Sequence, residues 1–255
     1  MKILVVITTA FTSTGGLTTV MMNYYRAMNK EGLKIDFAST NVPSQSLLDE
    51  IHVEGSEYYQ LPPRKKIVSY FYRLRRLCKN YDLLHVHGNS STSVLELMAA
   101  NWAGVKRRIV HNHTSRSQHP WINLLLHPFF LMSYTKAIAC SDAAGEWLFG
   151  NKQYQILRNA IKVSCFHYDV SVRQQIRQLL GISDSTFLVG HVGKFMDAKN
   201  HPFVIAVFAE IHRLIPNSKL LLVGDGPLRG MVETAVKNLH VEDCVILVGL
   251  RSDIP

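Results

Sequence analysis

The sequence predicts an α/β protein, and two observations carry that prediction. Short apolar runs alternate with helical patterns from end to end, the signature of a parallel sheet covered by helices. The alternation halts near residue 160 and resumes near 185, and 255 residues make more than one ordinary domain but fewer than two at roughly 150 residues each. The expected architecture is two Rossmann-like domains, the second incomplete: residues 1–165, a connector over 166–184, and residues 185–255.

Residues 3–8 read as a buried strand, and their five-residue apolar run is shorter than the roughly 7–15 of a secretory leader. A turn-rich loop runs to Gly16, and Leu17, Val20, Met21, Tyr24 and Met28 then mark one face of a helix that Gly32 stops. Residues 34–39, 83–86, 107–111 and 136–141 read as further strands, and 94–103 as a helix. Residues 121–134 are strongly apolar but carry Asn123, His127 and Pro128, and fall short of the about 20 apolar residues that span a bilayer. After a helix over 173–180, strands at 187–192, 219–223 and 244–248 alternate with helices at 203–215 and 231–239. An average sheet has about 5–6 strands, so the second domain reads as cut short. The four cysteines, at 78, 140, 165 and 244, form no CxxC pair and are expected as reduced thiols.

The chain carries a net charge of +9, and residues 1–160 hold 18 Lys or Arg against 10 Asp or Glu. Such an excess invites an anionic partner. Arg64, Lys65, Lys66, Arg73, Arg75, Arg76 and Lys79 run without an intervening acid, interleaved with Tyr70, Phe71, Tyr72 and aliphatic residues. A cationic and aromatic helix suits an anionic membrane interface, with Arg73, Arg75 and Arg76 facing it. The competing reading is a solvated helix with its apolar side in the core. No nucleic-acid reading motif accompanies the charge, and nucleic acid is not expected as a partner.

Strands that end in glycine ahead of a helix expose bare backbone and a helix N-terminus, where phosphates are held. Gly15 and Gly16 precede the first helix, without the GxGxxG fingerprint of dinucleotide enzymes. Lys194 follows a buried strand, and Lys199 and Asn200 open the next helix; two ammonium groups beside a helix start fit a diphosphate without a metal. Gly224, Asp225 and Gly226 form a similar turn, with Pro227 suited to the first helical position. His85 and His87, and again His111 and His113, end strands as HxH pairs. Such pairs suit zinc, but with no acid beside them polar cleft lining is preferred, one histidine acting as a hydrogen-bond donor or proton carrier. No metal is expected.

Together these motifs resemble the retaining glycosyltransferases of family 4, with the two-domain GT-B fold, and among them bacterial enzymes of capsular and exopolysaccharide assembly. The resemblance rests, in order, on Gly15-Gly16, His85-Val86-His87-Gly88, His113-Thr114, Ala139-Cys140-Ser141, Asn159-Ala160-Ile161, Val192-Gly193-Lys194-Phe195, Lys199-Asn200-His201, the stretch 221–226, Val248-Gly249 and residues 251–255. It implies sugar transfer from a nucleotide diphosphate, often UDP, to a lipid-linked oligosaccharide at the inner face of the cell membrane, by a cytoplasmic, peripheral enzyme. The nucleotide-sugar would sit on the second domain and the acceptor on the first. Lys194 and Lys199 fill the places of the diphosphate-gripping residues, the first of which is usually arginine; Gly15 and Gly16 would approach donor phosphates or acceptor, and His113 the transferred sugar. The family's two donor-holding glutamates, with seven residues between them, would follow the point corresponding to Pro255, so the resemblance implies a truncated chain. Two alternatives go with it, a catalytically inactive truncated remnant and, from the HxH pairs, a zinc-dependent hydrolase.

Overall fold

The computed structural model describes residues 1–13, 15–117, 119–251 and 253–254. Ser252 and Pro255 of the last motif lie outside the described residues. The chain divides into two compact units, Met1–Lys162 and Val163–Pro255.

The first unit runs β1 (Lys2–Ile7), α1 (Gly16–Ala27), β2 (Lys34–Ser39), α2 (Gln45–Val53), β3 (Tyr58–Gln60), α3 (Ile67–Cys78), β4 (Leu83–Gly88), α4 (Val94–Trp102), β5 (Arg107–Asn112), α5 (Pro120–Ser133), β6 (Lys136–Ala139), α6 (Asp142–Phe149) and β7 (Gln155–Ile156). Its seven strands lie in the order β3-β2-β1-β4-β5-β6-β7, every pair parallel. Central β1 is buried from Leu4 to Ile7 because both its faces are covered. Leu4 and Val6 share one core with Tyr70 and Leu74 of α3, Leu97 of α4, Phe130 of α5 and Leu148 of α6. Val5 and Ile7 meet Met21, Met22 and Tyr25 of α1 and Leu47 and Ile51 of α2 on the other face.

Several sequence expectations need correction here. The buried stripe of α1 is Thr18, Met21, Met22 and Tyr25, one residue round from the predicted face, and Met28 is exposed. The helix ends at Ala27; Gly32, at φ +70°, makes the turn into β2 instead. Helix α5 runs unbroken through Pro128. Its polar residues are docking contacts: Asn123 Oδ1 accepts from Ser91 N at 2.8 Å, and His127 Nε2 lies 2.9 Å from Leu148 O. Among the described residues, no helix is long and apolar enough to cross a membrane.

The second unit holds α7 (Val170–Leu179), β8 (Phe187–Val192), α8 (His201–Leu214), β9 (Ser218–Val223), α9 (Arg229–Asn238) and β10 (Val245–Gly249). Its sheet is parallel, in the order β10-β9-β8. The core is Phe195, Ile205, Phe208, Leu220, Leu222, Val232, Val236 and Val241. Asp169 caps α7, its Oδ1 accepting from Ser171 N and Val172 N. Pro227 precedes α9 by two residues, with Leu228 as N-cap, and is not its first residue.

The loops after β8 and β9 lie backbone to backbone. Gly193 N donates to Val223 O at 2.9 Å and Phe195 N to Asp225 O at 3.0 Å. A Cβ on Gly226 would overlap the Phe195 backbone, whereas one on Gly230, within α9, meets nothing. Gly226→Ala should therefore destabilise the unit by roughly 1–3 kcal/mol, while Gly230→Ala should be neutral or stabilising by up to about 1 kcal/mol. Urea midpoints of the two variants check the contrast.

Candidate functional site

In open α/β sheets ligands bind outside the carboxyl ends of the strands, where the strand order reverses. Here the chain leaves β1 toward β2 and later returns beside β1 as β4, so the reversal falls between β1 and β4. A polar cavity of about 650 Å³ opens there. Thr8 and Thr9 line it after β1, Asn89, Ser90 and Thr92 after β4, and Thr114, Arg116, Ser117 and His119 after β5, with Arg64 completing the wall. Hydroxyls and cations of this kind suit a polyhydroxylated or anionic ligand.

Arg64 does not belong to the exposed cationic stripe. Its Nε lies 3.0 Å from Glu96 Oε1, and Nη2 donates to Thr92 O at 2.8 Å. Glu96 is fully buried and also accepts from Tyr70 OH at 2.7 Å, so its charge is paired and hydrogen-bonded. Burial first, and then the Glu96 carboxylate, push the Tyr70 phenol up. The pair fixes the start of α3 against the cavity.

His113 stands just past β5, on a loop held by Asn112. The buried Asn112 amide donates to Thr114 O and Ala144 O, both at 2.7 Å. Parallel register sets His87 opposite His111, and alternation puts His85 and His87 on the same face. The two HxH pairs therefore converge, with ring centroids 4.1 Å apart for His111 and His113, 4.3 Å for His85 and His87, and 5.0 Å for His87 and His111. His87 Nδ1 and His113 Nε2 are 3.0 Å apart. Loss of hydration pushes the histidines down, His85 and His113 to about 4, His111 to about 2 and His87 well below its usual value; neighbouring imidazoles add to this for all but His113. All four are neutral at pH 7.

The glycines of the first loop differ from each other. Gly15 is the N-cap of α1, and a Cβ there would crowd Thr12 and Thr18 at 3.1–3.3 Å. Gly16 is exposed and faces open space, so it alone leaves bare backbone accessible. Asn41 clamps the loop, accepting from Phe11 N at 2.8 Å and donating to Phe11 O at 3.0 Å.

In the second unit Lys194, Lys199 and Asn200 gather where β8 gives way to α8. Phe195, fully buried, anchors the loop and leaves Lys194 exposed beside it. The exposed Lys199 closes a short 3-10 turn and reaches back so that its Cγ and Cδ pack over Gly193. Asn200 takes the left-handed conformation, φ 45° and ψ 50°, as N-cap of α8. Two histidines that sequence reasoning left without a role lie here, His191 and His201, with ring centroids 4.8 Å apart. Burial lowers both, and the Lys199 ammonium lowers them further. Gly224 lies at φ +142°, where a Cβ would overlap Gly193 O. Asp225 is spent within its own loop, accepting from Gly226 N at 2.7 Å and pairing with Arg229 at 3.4 Å.

The model of Glycosyltransferase Family 4 matches residues 14–162, more than half of the chain. The chain belongs to this family. It is 26% identical over 256 residues to the putative glycosyltransferase EpsF of Bacillus subtilis, covering 94% of this chain and 66% of that one. It is 27% identical over 263 residues to N-acetyl-alpha-D-glucosaminyl L-malate synthase of Bacillus anthracis, covering 96% and 68%. The chain thus spans about two thirds of the length of these relatives. Its fold matches that of Anabaena Alr3699/HepE, solved in complex with UDP, with a TM-score of 0.80 at 20% identity, covering 100% of this chain and 71% of that one.

The sequence singled out His113, Gly15, Gly16, Lys194, Lys199 and Asn200, but missed Arg64 as a cavity residue, together with Ser90, Thr92, Arg116 and His119. It did not place the two HxH pairs side by side; sequential strands in a parallel sheet tend to be neighbours, and that was the available signal. Buried neutral histidines carry a pH dependence. Their folded-state pKa lies below the unfolded value near 6.5, so between the two the unfolded chain binds more protons. Their contribution is whole above about pH 6.5 and falls as pH drops toward 4, by roughly 1.4 kcal/mol per pH unit for each group. Thermal melts in metal-free buffer should show a steep loss of Tm between pH 6.5 and 4.5, blunted in His111→Gln.

Proposed function

We propose that this chain is the body of a glycosyltransferase that moves a sugar from a nucleotide diphosphate, of the UDP-sugar class, to a lipid-linked oligosaccharide at a membrane surface, with retention, in exopolysaccharide or capsule assembly. The family match over residues 14–162 carries the reading. The diphosphate belongs at Lys194 and Lys199, where two ammonium groups and the amides opening α8 neutralise a leaving group without a metal ion. The acceptor belongs in the cavity beside β1 and β4. In the transfer step the bond from the anomeric carbon to the phosphate oxygen breaks as the acceptor hydroxyl bonds to that carbon from the same face, and its proton passes to the departing phosphate. Neutral His113, accepting from His87 through Nε2, keeps Nδ1–H as a donor toward the sugar. Gly16 gives a ligand access to the main chain.

The membrane reading draws on a continuous layer. Helices α3, α4 and α5 pack side by side. Their outer surface shows Arg73 and Arg76 with Ile67, Val68 and Tyr72 on α3, and Trp121, Leu125 and Met132 on α5, the last 84% exposed. Arg75 is half-buried and donates to Trp102 O at 3.2 Å, which ties α3 to α4. Cations beside exposed aromatic and aliphatic side chains suit an anionic bilayer.

The test is incorporation of label from radioactive UDP-sugars into the lipid fraction of membranes that bear lipid-linked acceptor. Transfer above a boiled control supports the reading, UDP binding without transfer identifies an inactive remnant, and neither binding nor transfer overturns it. Calorimetry should find nucleotide binding weakened more by Lys199→Ala than by Lys194→Ala, because Lys199 stands nearer the start of α8. Vesicle cosedimentation should weaken by about 1 kcal/mol for each of Arg73→Gln and Arg76→Gln on anionic lipid, whereas Arg75→Gln should cost stability as well.

A further inference from the structure

Three imidazoles, His85, His87 and His111, occupy a sheet face that should be apolar, and of them only His87 touches the transfer chemistry, through its hydrogen bond to His113. His85, His87 and His111 each offer a ring nitrogen, and these donor atoms lie within 4.8 Å of one another. His111 is 1% exposed, and neither of its nitrogens has a partner. His85 Nε2 is likewise buried and unpartnered. Polar atoms buried without a partner lose their hydration with nothing in return, so the cluster is costly unless something satisfies it. Beside it lies a cavity of about 160 Å³, roofed by Met21 and Tyr24 of α1 and by Leu157. Apart from the histidines that roof is apolar, which leaves the imidazoles as the donor set.

We propose that His85, His87 and His111 form a binding site for a divalent first-row transition metal of the zinc class. Imidazole nitrogen suits Zn²⁺, Co²⁺, Ni²⁺ and Cu²⁺, whereas Mg²⁺ and Ca²⁺ require oxygen. Zinc bonds imidazole at roughly 2.0–2.1 Å, which sets tetrahedral donors about 3.3 Å apart; small ring rotations close the present spread. A metal-bound histidine donates its other ring N–H to a fixed partner, and His87 has that partner in His113 Nε2, 3.0 Å from Nδ1. Ligation through His87 Nε2 thus fixes the tautomer of both rings and makes His113 a residue positioned by the metal. No carboxylate belongs to the cluster, so hydroxide or water takes the fourth place. The site departs from the sequence expectation of no metal, which rested on the lack of an acid beside the HxH pairs. It is independent of the transfer reading.

The experiment uses the untagged 255-residue chain, stripped with chelator and titrated with Zn²⁺ and Co²⁺ at pH 7.5. The expected result is about one equivalent bound per chain, a rise in Tm, and tetrahedral Co²⁺ absorption with imidazole scattering in X-ray absorption spectra. His85→Gln and His111→Gln should each weaken Zn²⁺ binding roughly tenfold or more, and exposed His167→Gln should not. X-ray absorption on the native chain needs no variant, so it decides the question even if His111→Gln fails to fold. Absence of stoichiometric binding, binding unchanged in both cluster variants, or a coordination sphere without imidazole would each overturn the proposal.

Discussion

Parallel pairing of β1 with both β2 and β4 is the constraint on which the rest of the first unit depends. With every strand running the same way, each loop that leaves a carboxyl end is delivered to one edge of the sheet. Thr8, Ser90 and Thr114 meet around one cavity only because β1, β4 and β5 are parallel and adjacent. The ladder consists of backbone hydrogen bonds, which hold whatever side chains the loops carry, so the edge is free to be polar while β1 stays apolar from Ile3 to Ile7. The start of α1 falls at the same edge for the same reason. The second unit repeats the logic at smaller scale, its Lys194 and Gly224 loops side by side because β8 and β9 are parallel neighbours.

The same ladder explains the histidine face. Side chains alternate along a strand, so Leu84 and Val86 enter the core beneath α3 and α4 while His85 and His87 take the opposite side. On β5, Val110 and His111 divide in the same way. A sheet face normally covered by helices is apolar, and here His85, His87 and His111 stand on it beside Val5 and Ile7. Their loss of hydration holds them neutral, and that neutrality makes them hydrogen-bond acceptors and metal donors and no longer carriers of charge. The stability they cost at acid pH and the chemistry they offer at neutral pH have one origin.

What could be read in the sequence follows from how local each cause is. Parallel strands are largely apolar runs, and β2, β8 and β9 stood out within a residue of their observed bounds, although β8, expected to be buried, has no buried residue. Helix α2 carries only Leu47 and Ile51 into the core, an i, i+4 pair too slight to notice in a polar segment. The face of α1 was misjudged because Leu17, Val20 and Tyr24 are as apolar as Met22 and Tyr25, and only the sheet decides which of them it covers. Pro128 and Asn123 looked like interruptions because their compensating partners lie on other elements. Arg64 shows the limit most clearly. In sequence it is one of seven cations, but Glu96, 32 residues onward, turns it inward, and no local pattern announces a partner at that separation.

That inward turn gives α3 two different ends. Arg64, just ahead of it, is bound to Thr92 on the cavity wall, while Arg73 and Arg76 lie on its exposed face. A helix rises about 1.5 Å per residue, so the 12 residues of α3 span roughly 18 Å. On the proposed reading, a lipid-linked acceptor has to keep its tail in a bilayer while its sugar reaches the carboxyl edge of the sheet, and a rigid helix fixed to both places sets that separation. The buried Glu96 is then more than core filling. Without it Arg64 would join the exposed cations, α3 would lose its anchor at the cavity, and surface and site would no longer be held at a defined distance.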